Sequence, residues 1–463
     1  GASLAVRAIS GALPIDLPRL IEAQVDVRVM TLALVLSVAV GLLIGLLPAL
    51  RVAARTDLGI ARSGRGGSAS RSMARARDGL VLVQVALGLA LAVGAGLLTR
   101  SLVRLHAVDP GFDTAGLQVA TLRLSGIGGP DFDPVVLDDL LRAAIELPGV
   151  TSASLASGAP YTPGGRIGYI QPEGVDLPEE TLTQARIELH RASGGHLDQI
   201  GLPLVAGRYL TEADLADTEQ VVVISQSLAD SYWPGQLPLG KRLVVGGDGT
   251  FALRTIVGIT ESPRYRGPGD APEEHLWLPL RQMPLSPLDL VLRLAPGGPP
   301  LESTLAQLGS VDSRVTIRSV RSVEAELQNH YLEPTFFTLL LGGFALIGLL
   351  LSAVGLYGTL AHSVRTRRRE FGVRLALGAS GSGLTRRVVG RGALVTLLGI
   401  GAGLTLAWFG TRLLEARLFG VAPRDPLAWI AASALLMAVG LFASWIPARG
   451  AGRTSPMTSL RVE

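Results

Sequence analysis

Along this chain, apolar runs that admit almost no charge alternate with one long stretch in which apolar and polar positions interleave. From Thr335 to Ser363 no side chain carries a formal charge, and the run begins TFFTLLLGGFALIGLLLSAVGLYGTLA. An uncharged run of more than about 18 residues is long enough to cross a hydrocarbon core of ~30 Å as a helix. A helix satisfies its own backbone there, which no other open-ended segment does. Further apolar runs at Met30–Leu50, Gly79–Leu98, Gly392–Thr411 and Leu427–Ile446 raise the expected number of crossings to five. The last of these is expected to stop at Pro447.

Between Asp109 and Pro334 the pattern is that of a water-soluble α+β domain with a core of its own. Strands are predicted at Gln118–Leu124, Thr151–Ala156, Val221–Ile224, Arg242–Val245, Leu253–Ile259, His275–Leu278, Leu288–Leu294 and Val315–Ile317. Helices are predicted at Pro134–Leu147, Gln226–Trp233 and Leu301–Leu308, so a β-α-β order occurs twice. Val320, Val323, Leu327 and Tyr331 recur at helical spacing and predict a stalk running back to the Thr335 stretch. Arg100 and Arg104, with Leu102, Val103 and Leu105, extend the Gly79 crossing as a second stalk. The fold class expected is an α-helical transmembrane bundle plus an extracytoplasmic α+β domain.

Charge orients this arrangement. The segments 51–78, 361–391 and 448–463 carry 18 arginines against 4 acidic residues, and the rest of the chain holds 24 basic against 34 acidic. That asymmetry is the positive-inside pattern and places those three segments in the cytoplasm. It accounts for the sequence pI of about 9.7 without nucleic-acid binding. The chain has no cysteine, which excludes a disulfide framework, a thiolate metal site and a cysteine nucleophile.

An internal repeat links the two ends. Asp26–Leu58 and Asp425–Leu460 each show an aspartate, an apolar run, Pro-Ala and then Arg-Thr. With no initiating methionine at Gly1, the expectation is that residues 1–58 close a preceding unit whose greater part lies upstream.

Several motifs admit a simpler reading than the functional one. Gly235 to Lys241 fits most of a phosphate-binding loop, but Arg242 stands where Ser or Thr would hold Mg²⁺. Pro238 also removes a backbone donor from that loop, so a turn into a strand is expected. The six histidines show no metal-ligand spacing and read as scattered surface residues; His196 with Asp198 lacks the serine elbow a hydrolase needs. No catalytic, cofactor or metal residue is assigned. Gln84 fits interhelical hydrogen bonding or packing. Gly41 with Gly45, and Gly399 with Gly403, stand at the spacing that lets membrane helices approach closely. The cluster Arg365, Arg367, Arg368, Arg369, Glu370, Phe371 and Arg374 reads either as a stop signal held by anionic lipid or as a coupling helix. Phe371, Leu375 and Leu377 beside the arginines supply an apolar side that a stop signal does not need.

Five stretches carry a family resemblance. They are QVALGLALAVGAGLLTRSL (84–102), VDPGFD (108–113), WPGQLPLGKRL (233–243), RRREFGVRLALGAS (367–380) and the PAR…P…LR ending (447–461). On them the chain resembles the FtsX-like permeases of MacB type, membrane subunits of type VII ABC transporters, and in particular the duplicated orphan permeases of acidobacteria. The resemblance implies a preceding-unit remnant at 1–58 with its last helix at 30–50, a cytoplasmic linker at 59–78 and a helix with stalk at 79–108. It implies a MacB-like periplasmic core at 109–333 and an FtsX-like permease domain at 334–463, with helices at 335–363, 392–411 and 427–446.

The location implied is a bacterial inner membrane. The activity implied is not enzymatic: a separate cytoplasmic ABC ATPase would dock on Arg367 to Leu375, and its motion would reshape the periplasmic domain during efflux or export. Phe371 and Leu375 would then face the ATPase, with Arg368 and Arg374 at the rim. Membrane lipid, a periplasmic adaptor or substrate, and a pseudo-dimer, homodimer or heterodimer complete the expected partners. The alternative is a membrane-anchored periplasmic binding or sensor protein that regulates a hydrolase or signalling partner. IVGITESPRYRG (256–267) and RASGGHLDQIGLPLVAGR (191–208) depart from the family pattern.

Overall fold

The computed structural model describes residues 31, 34, 35, 38, 68–124, 135–161, 166–173, 187–247, 250–284, 287–296, 315–377 and 379–452. Apart from four helical positions, the expected crossing at 30–50 lies outside the described residues, as do Gly41, Gly45 and the helix expected at 301–308. The chain divides into two compact units, Gly1–Ser101 with Pro334–Glu463, and Leu102–Glu333.

Four helices among the described residues are long and apolar enough to cross a membrane. They belong to α1 (Ser68–His106), α5 (Val323–Thr366), α7 (Gly381–Gly410) and α8 (Pro426–Gly452). The short α6 (Arg368–Ala376) lies between α5 and α7. Helix α1 begins inside the stretch expected to be linker, so residues 68–78 are helical. From Ser68 to Asp78 the chain has no glycine and is rich in Ala and Arg, which favour helix. Helix α8 likewise continues through Pro447 instead of stopping there. A helix in a bundle tolerates the loss of one backbone bond at a proline. Val320 sits in a strand, and α5 starts only at Val323.

Small residues set how closely these helices approach. At Gly403 an added Cβ would lie 2.8 Å from the Ala86 carbonyl oxygen and 2.9 Å from Leu89 Cβ. Gly399 faces Val85 in the same way. Gly88 of α1 meets Gly348 of α5, with 3.1 Å from the Gly88 Cα to the Cβ that Gly348 lacks. Val85, Leu89, Val93 and Leu97 of α1 pack with Leu356, Ile400 and Leu436 into a common core. Ion pairs tie both ends of the apolar part of α1: Asp78 to Arg391 of α7 at 2.8 Å, and Arg100 to Asp425 before α8. Leu339, Phe344, Ile347, Leu350 and Val354 remain exposed on α5, a surface suited to hydrocarbon.

The second unit is built on one sheet with two parts. In the first part β1 (Leu117–Leu124) lies between β11 (Val315–Ser322) and β10 (Leu288–Leu294). β10 in turn pairs β2 (Val150–Ala156), all antiparallel. Helix α2 (Val135–Ile145) covers this part through Val136, Leu137, Leu140 and Ala144.

The second part closes on itself. β4 (Ile187–Ala192), β3 (Arg166–Pro172), β7 (Arg242–Gly247), β8 (Thr250–Thr260), β6 (Val221–Ser225) and β9 (His275–Pro279) pair in that order. A parallel β4–β9 pairing completes the ring. β5 (Leu204–Gly207) joins at β8, and α4 (Gln226–Tyr232) buries Leu228 and Ala229 against the ring. Strands β4, β6 and β9 are buried along their whole length, hence on both faces.

The glycine contacts give a direct test. Gly403→Val should cost about 1–3 kcal/mol through overpacking against α1 and lower the melting temperature of the chain in detergent. Gly401→Val, at a position with nothing within 4 Å, serves as the control and should melt near the parent.

Candidate functional site

Helix α5 ends at Thr366, whose hydroxyl donates to the His362 carbonyl at 2.9 Å. The chain then breaks at Arg367, with φ −98° and ψ 12°, before α6 begins. Glu370 in the first turn of α6 binds Arg374 one turn on at 2.6 Å, which suits the helix dipole at both ends. Ser380 caps α7, its hydroxyl accepting the Gly383 N–H at 3.3 Å.

The apolar residues of this turn divide into two sets. Phe371 is buried against Leu384 of α7, with Val364, Leu375 and Val388 around them. Phe371, 8% exposed, therefore packs within its own chain. Its ring fixes α6 to its own chain, because spacing along a nine-residue helix cannot tell an internal neighbour from an external one. Val373 and Leu377 are the exposed apolar pair, Leu377 at 82%. Arg365, Arg367 and Glu370 are also exposed. Arg368 and Arg369 lie in the first turn of α6.

Gln84 of α1 faces Gly355 of α5, where the missing side chain makes room for it, and its Oε1 has no hydrogen-bond partner. The loop resembling a phosphate cradle is closed by its own backbone. Gly240 N–H donates to Ile256 O at 2.9 Å and Lys241 N–H to Pro238 O at 3.1 Å. Lys241 Nζ is held by Gln236 Oε1 at 2.6 Å. β7 follows directly, so the loop is a turn into a strand.

The histidines differ from expectation. His190, His196 and His275 are buried together at 3%, 1% and 0% exposure. His196, at the start of α3 (His196–Gln199), bonds through Nδ1 to Ser154 Oγ at 2.7 Å and not to Asp198. Burial and the neighbouring His190 lower its pKa to about 3. His190 Nε2 meets His275 Nδ1 at 3.0 Å. Tyr265 and Trp277 pack on both rings. Single-residue spacing gave no signal for this cluster, since strand pairing across 85 positions brings it together. No group of three or more metal-ligating side chains occurs among the described residues.

A family model described as MacB-like periplasmic core domain matches residues 79–317. A second, described as FtsX-like permease C-terminal, matches residues 342–456. The macrolide export ATP-binding/permease protein MacB of Hahella chejuensis is 27% identical over 282 residues, covering 57% of this chain and 41% of that protein. The chain thus spans less than half the length of that relative. The uncharacterized ABC transporter permease YvrN of Bacillus subtilis is 24% identical over 362 residues, 73% of this chain and 82% of that one. Among solved structures, the periplasmic region of MacB from Actinobacillus actinomycetemcomitans aligns with 47% of this chain and 94% of that chain. Identity there is 14% and the TM-score is 0.32.

The buried His196 makes an acid-stability prediction. Its folded pKa of about 3 lies below the ordinary value of about 6.5, so the folded state holds the neutral ring. Its contribution is fully present above about pH 6.5 and is lost as pH falls toward 3. Melting temperature should fall through that window, and His196→Gln should make the slope shallower.

Proposed function

The chain belongs to the family of FtsX-like ABC transporter permeases that carry a MacB-like periplasmic core domain. From that premise we propose that it couples ATP hydrolysis by a separate cytoplasmic ATPase to motion of its periplasmic domain, in efflux or export. The observation that carries this reading is the single helix α5. It starts directly after strand β11 of the soluble domain and runs without interruption to the arginine turn at 365–367. A displacement of α6 is carried along α5 by its backbone hydrogen bonds. Pro334 removes one of those bonds and gives the helix a defined place to bend. The docking surface proposed is the exposed side of α6: Val373 and Leu377 with Arg365, Arg367 and Arg374, while Phe371 keeps α6 seated on α7.

Arginines 365–374 anchored by lipid alone would make a different prediction. Docking that buries a Leu side chain contributes roughly 1.5–3 kcal/mol, whereas an exposed charge contributes about 0–1. Leu377→Asp should therefore reduce co-purification of an ABC ATPase with the full chain about tenfold or more. Arg365→Gln should reduce it less. Full association in Leu377→Asp, with loss on removing arginines, would leave only a charged stop signal.

The proposed topology has five crossings, the first at 30–50, and an inner-membrane location with the soluble domain outside the cytoplasm. The cysteine-free sequence makes single-cysteine labelling easy to interpret. Thr218→Cys and Ser382→Cys both lie at exposed positions. In intact cells with a permeable outer membrane, an impermeant thiol reagent should label the first and spare the second. Labelling at 382 from outside overturns the topology.

A further inference from the structure

The four ring nitrogens of His190 and His275 are all engaged, and the partners fix which of them must carry hydrogen. His190 Nδ1 lies 3.1 Å from the Ser157 carbonyl oxygen. His275 Nε2 lies 3.2 Å from the Pro263 carbonyl oxygen. A carbonyl oxygen only accepts, so each of these nitrogens must bear a proton. The two nitrogens that remain, His190 Nε2 and His275 Nδ1, face each other at 3.0 Å. In two neutral rings both would then present lone pairs. Two protons cannot make three hydrogen bonds; all three form together only when a third proton sits between the rings, and the pair then carries one positive charge.

The surroundings match a single charge. Glu188 precedes His190 on β4 and pairs with Arg266, whose Nε reaches Glu273 at 3.1 Å. Glu273 Oε2 is buried with no hydrogen-bond partner and lies 4.0 Å from His275 Nε2. Two carboxylates and one guanidinium leave one negative charge, which one shared proton cancels. Tyr265 and Trp277 exclude water over the rings, with centroids between 4.9 and 5.8 Å away. The other ionisable groups nearby are His196, which is held neutral, Asp270 beside Arg266 and Glu273, and Arg191 on β4. Asp289 accepts the Ala159 N–H at 3.1 Å.

We propose that His190 and His275 form a one-proton site, taking up a single shared proton that completes the chain Ser157 O–His190–His275–Pro263 O. The two carbonyls belong to loops that carry Tyr161 and Tyr265, and Tyr161 N–H donates to Tyr265 O at 2.8 Å. Both tyrosines pack on Phe112, and Tyr161 also meets His330 on α5. Tyr161 is held at φ 56°, a left-handed backbone that only firm surroundings sustain. With the proton in place the two loops are joined through the rings. Without it, one of the three links must open, and the seat of His330 loosens. Burial opposes the charge on both rings, so uptake falls on the acid side of the ordinary histidine range. A second proton would place two charges in one buried pair. The domain is thus an acid-responsive element whether or not the transport reading holds.

The test uses the full chain in lipid nanodiscs with ¹⁵N-labelled histidine, followed from about pH 8 to about pH 4.5. His190→Gln and His275→Asn assign the signals. The wild-type pair should show one common step that brings its ring-proton count from two to three, with His196 unchanged. In His275→Asn the amide donates toward His190 Nε2, so His190 should stay neutral and the step should vanish. Separate titration of the two rings, or a pair holding two protons throughout while the fold is intact, overturns the proposal. The wild-type count decides this even if a variant fails to fold. An intact step together with failure of ATPase association in the parent chain would reject the transport reading and keep the proton site.

Discussion

A backbone amide inside hydrocarbon has no water to turn to, and the cost of leaving it unpaired is several kcal/mol per group. That constraint makes the apolar runs of this chain helical and lets α5 pass from a soluble domain to an arginine turn as one 44-residue element. It also explains why Pro447 does not end α8 and why Pro334 does not end α5. Breaking a helix in lipid costs more than losing one of its bonds. Since lipid tails are as apolar as leucine, helix association must come from close packing and polar ties. Gly399 and Gly403 against α1, and the ion pairs at Asp78 and Arg100, provide the two kinds of contact.

Outside the membrane unit the driving force changes to burial of apolar area. The closed ring of strands has two covered faces. Ile187, Leu189, Val222, Ile224, Leu276 and Leu278 fill one core, and Ala192, Val221, Val223 and Trp277 belong to another. A strand covered on both sides leaves no solvated face for a polar residue, so any polar side chain on it must find an internal partner. The pair of His190 on β4 and His275 on β9 meets that demand.

How much could be read in advance follows from this difference. Strands β1, β2, β6, β9 and β10, and helices α2 and α4, showed as runs of apolar or alternating residues with turns at their ends, within a few residues of their observed bounds. Strand β4 reads IELHRA and is buried at all six positions, yet it is neither alternating nor an apolar run. Its Glu and His look solvated until pairing supplies Arg266 for Glu188, and His275 with the Ser157 carbonyl for His190. Strand β5 has only four residues at one side of β8, too short for any period. Val320 fell into a helical spacing by coincidence, since β11 and α5 abut with no turn residues between them. The glycine spacing at 399 and 403 was visible, but the residues it meets on α1 were not.

The arginine turn shows why composition alone could not assign its apolar residues. A helix of nine residues is too short to be stable in water by itself, so α6 needs packing somewhere. Phe371 supplies it by closing on Leu384, a contact made within the chain. Had Phe371 been the docking residue, nothing would hold α6 in place before a partner arrived, and binding would have to order the helix as well as bury the ring. With Phe371 used internally, α6 is preorganised and Leu377 remains available. The same logic separates α1 from α5. Helix α1 is tied by charge to α7 and to the start of α8, whereas it meets α5 across Gly88 and Gly348, where backbone lies against backbone. At the same seam the Gln84 side chain of α1 fills the space at Gly355 of α5, so side chains as well as backbone meet there.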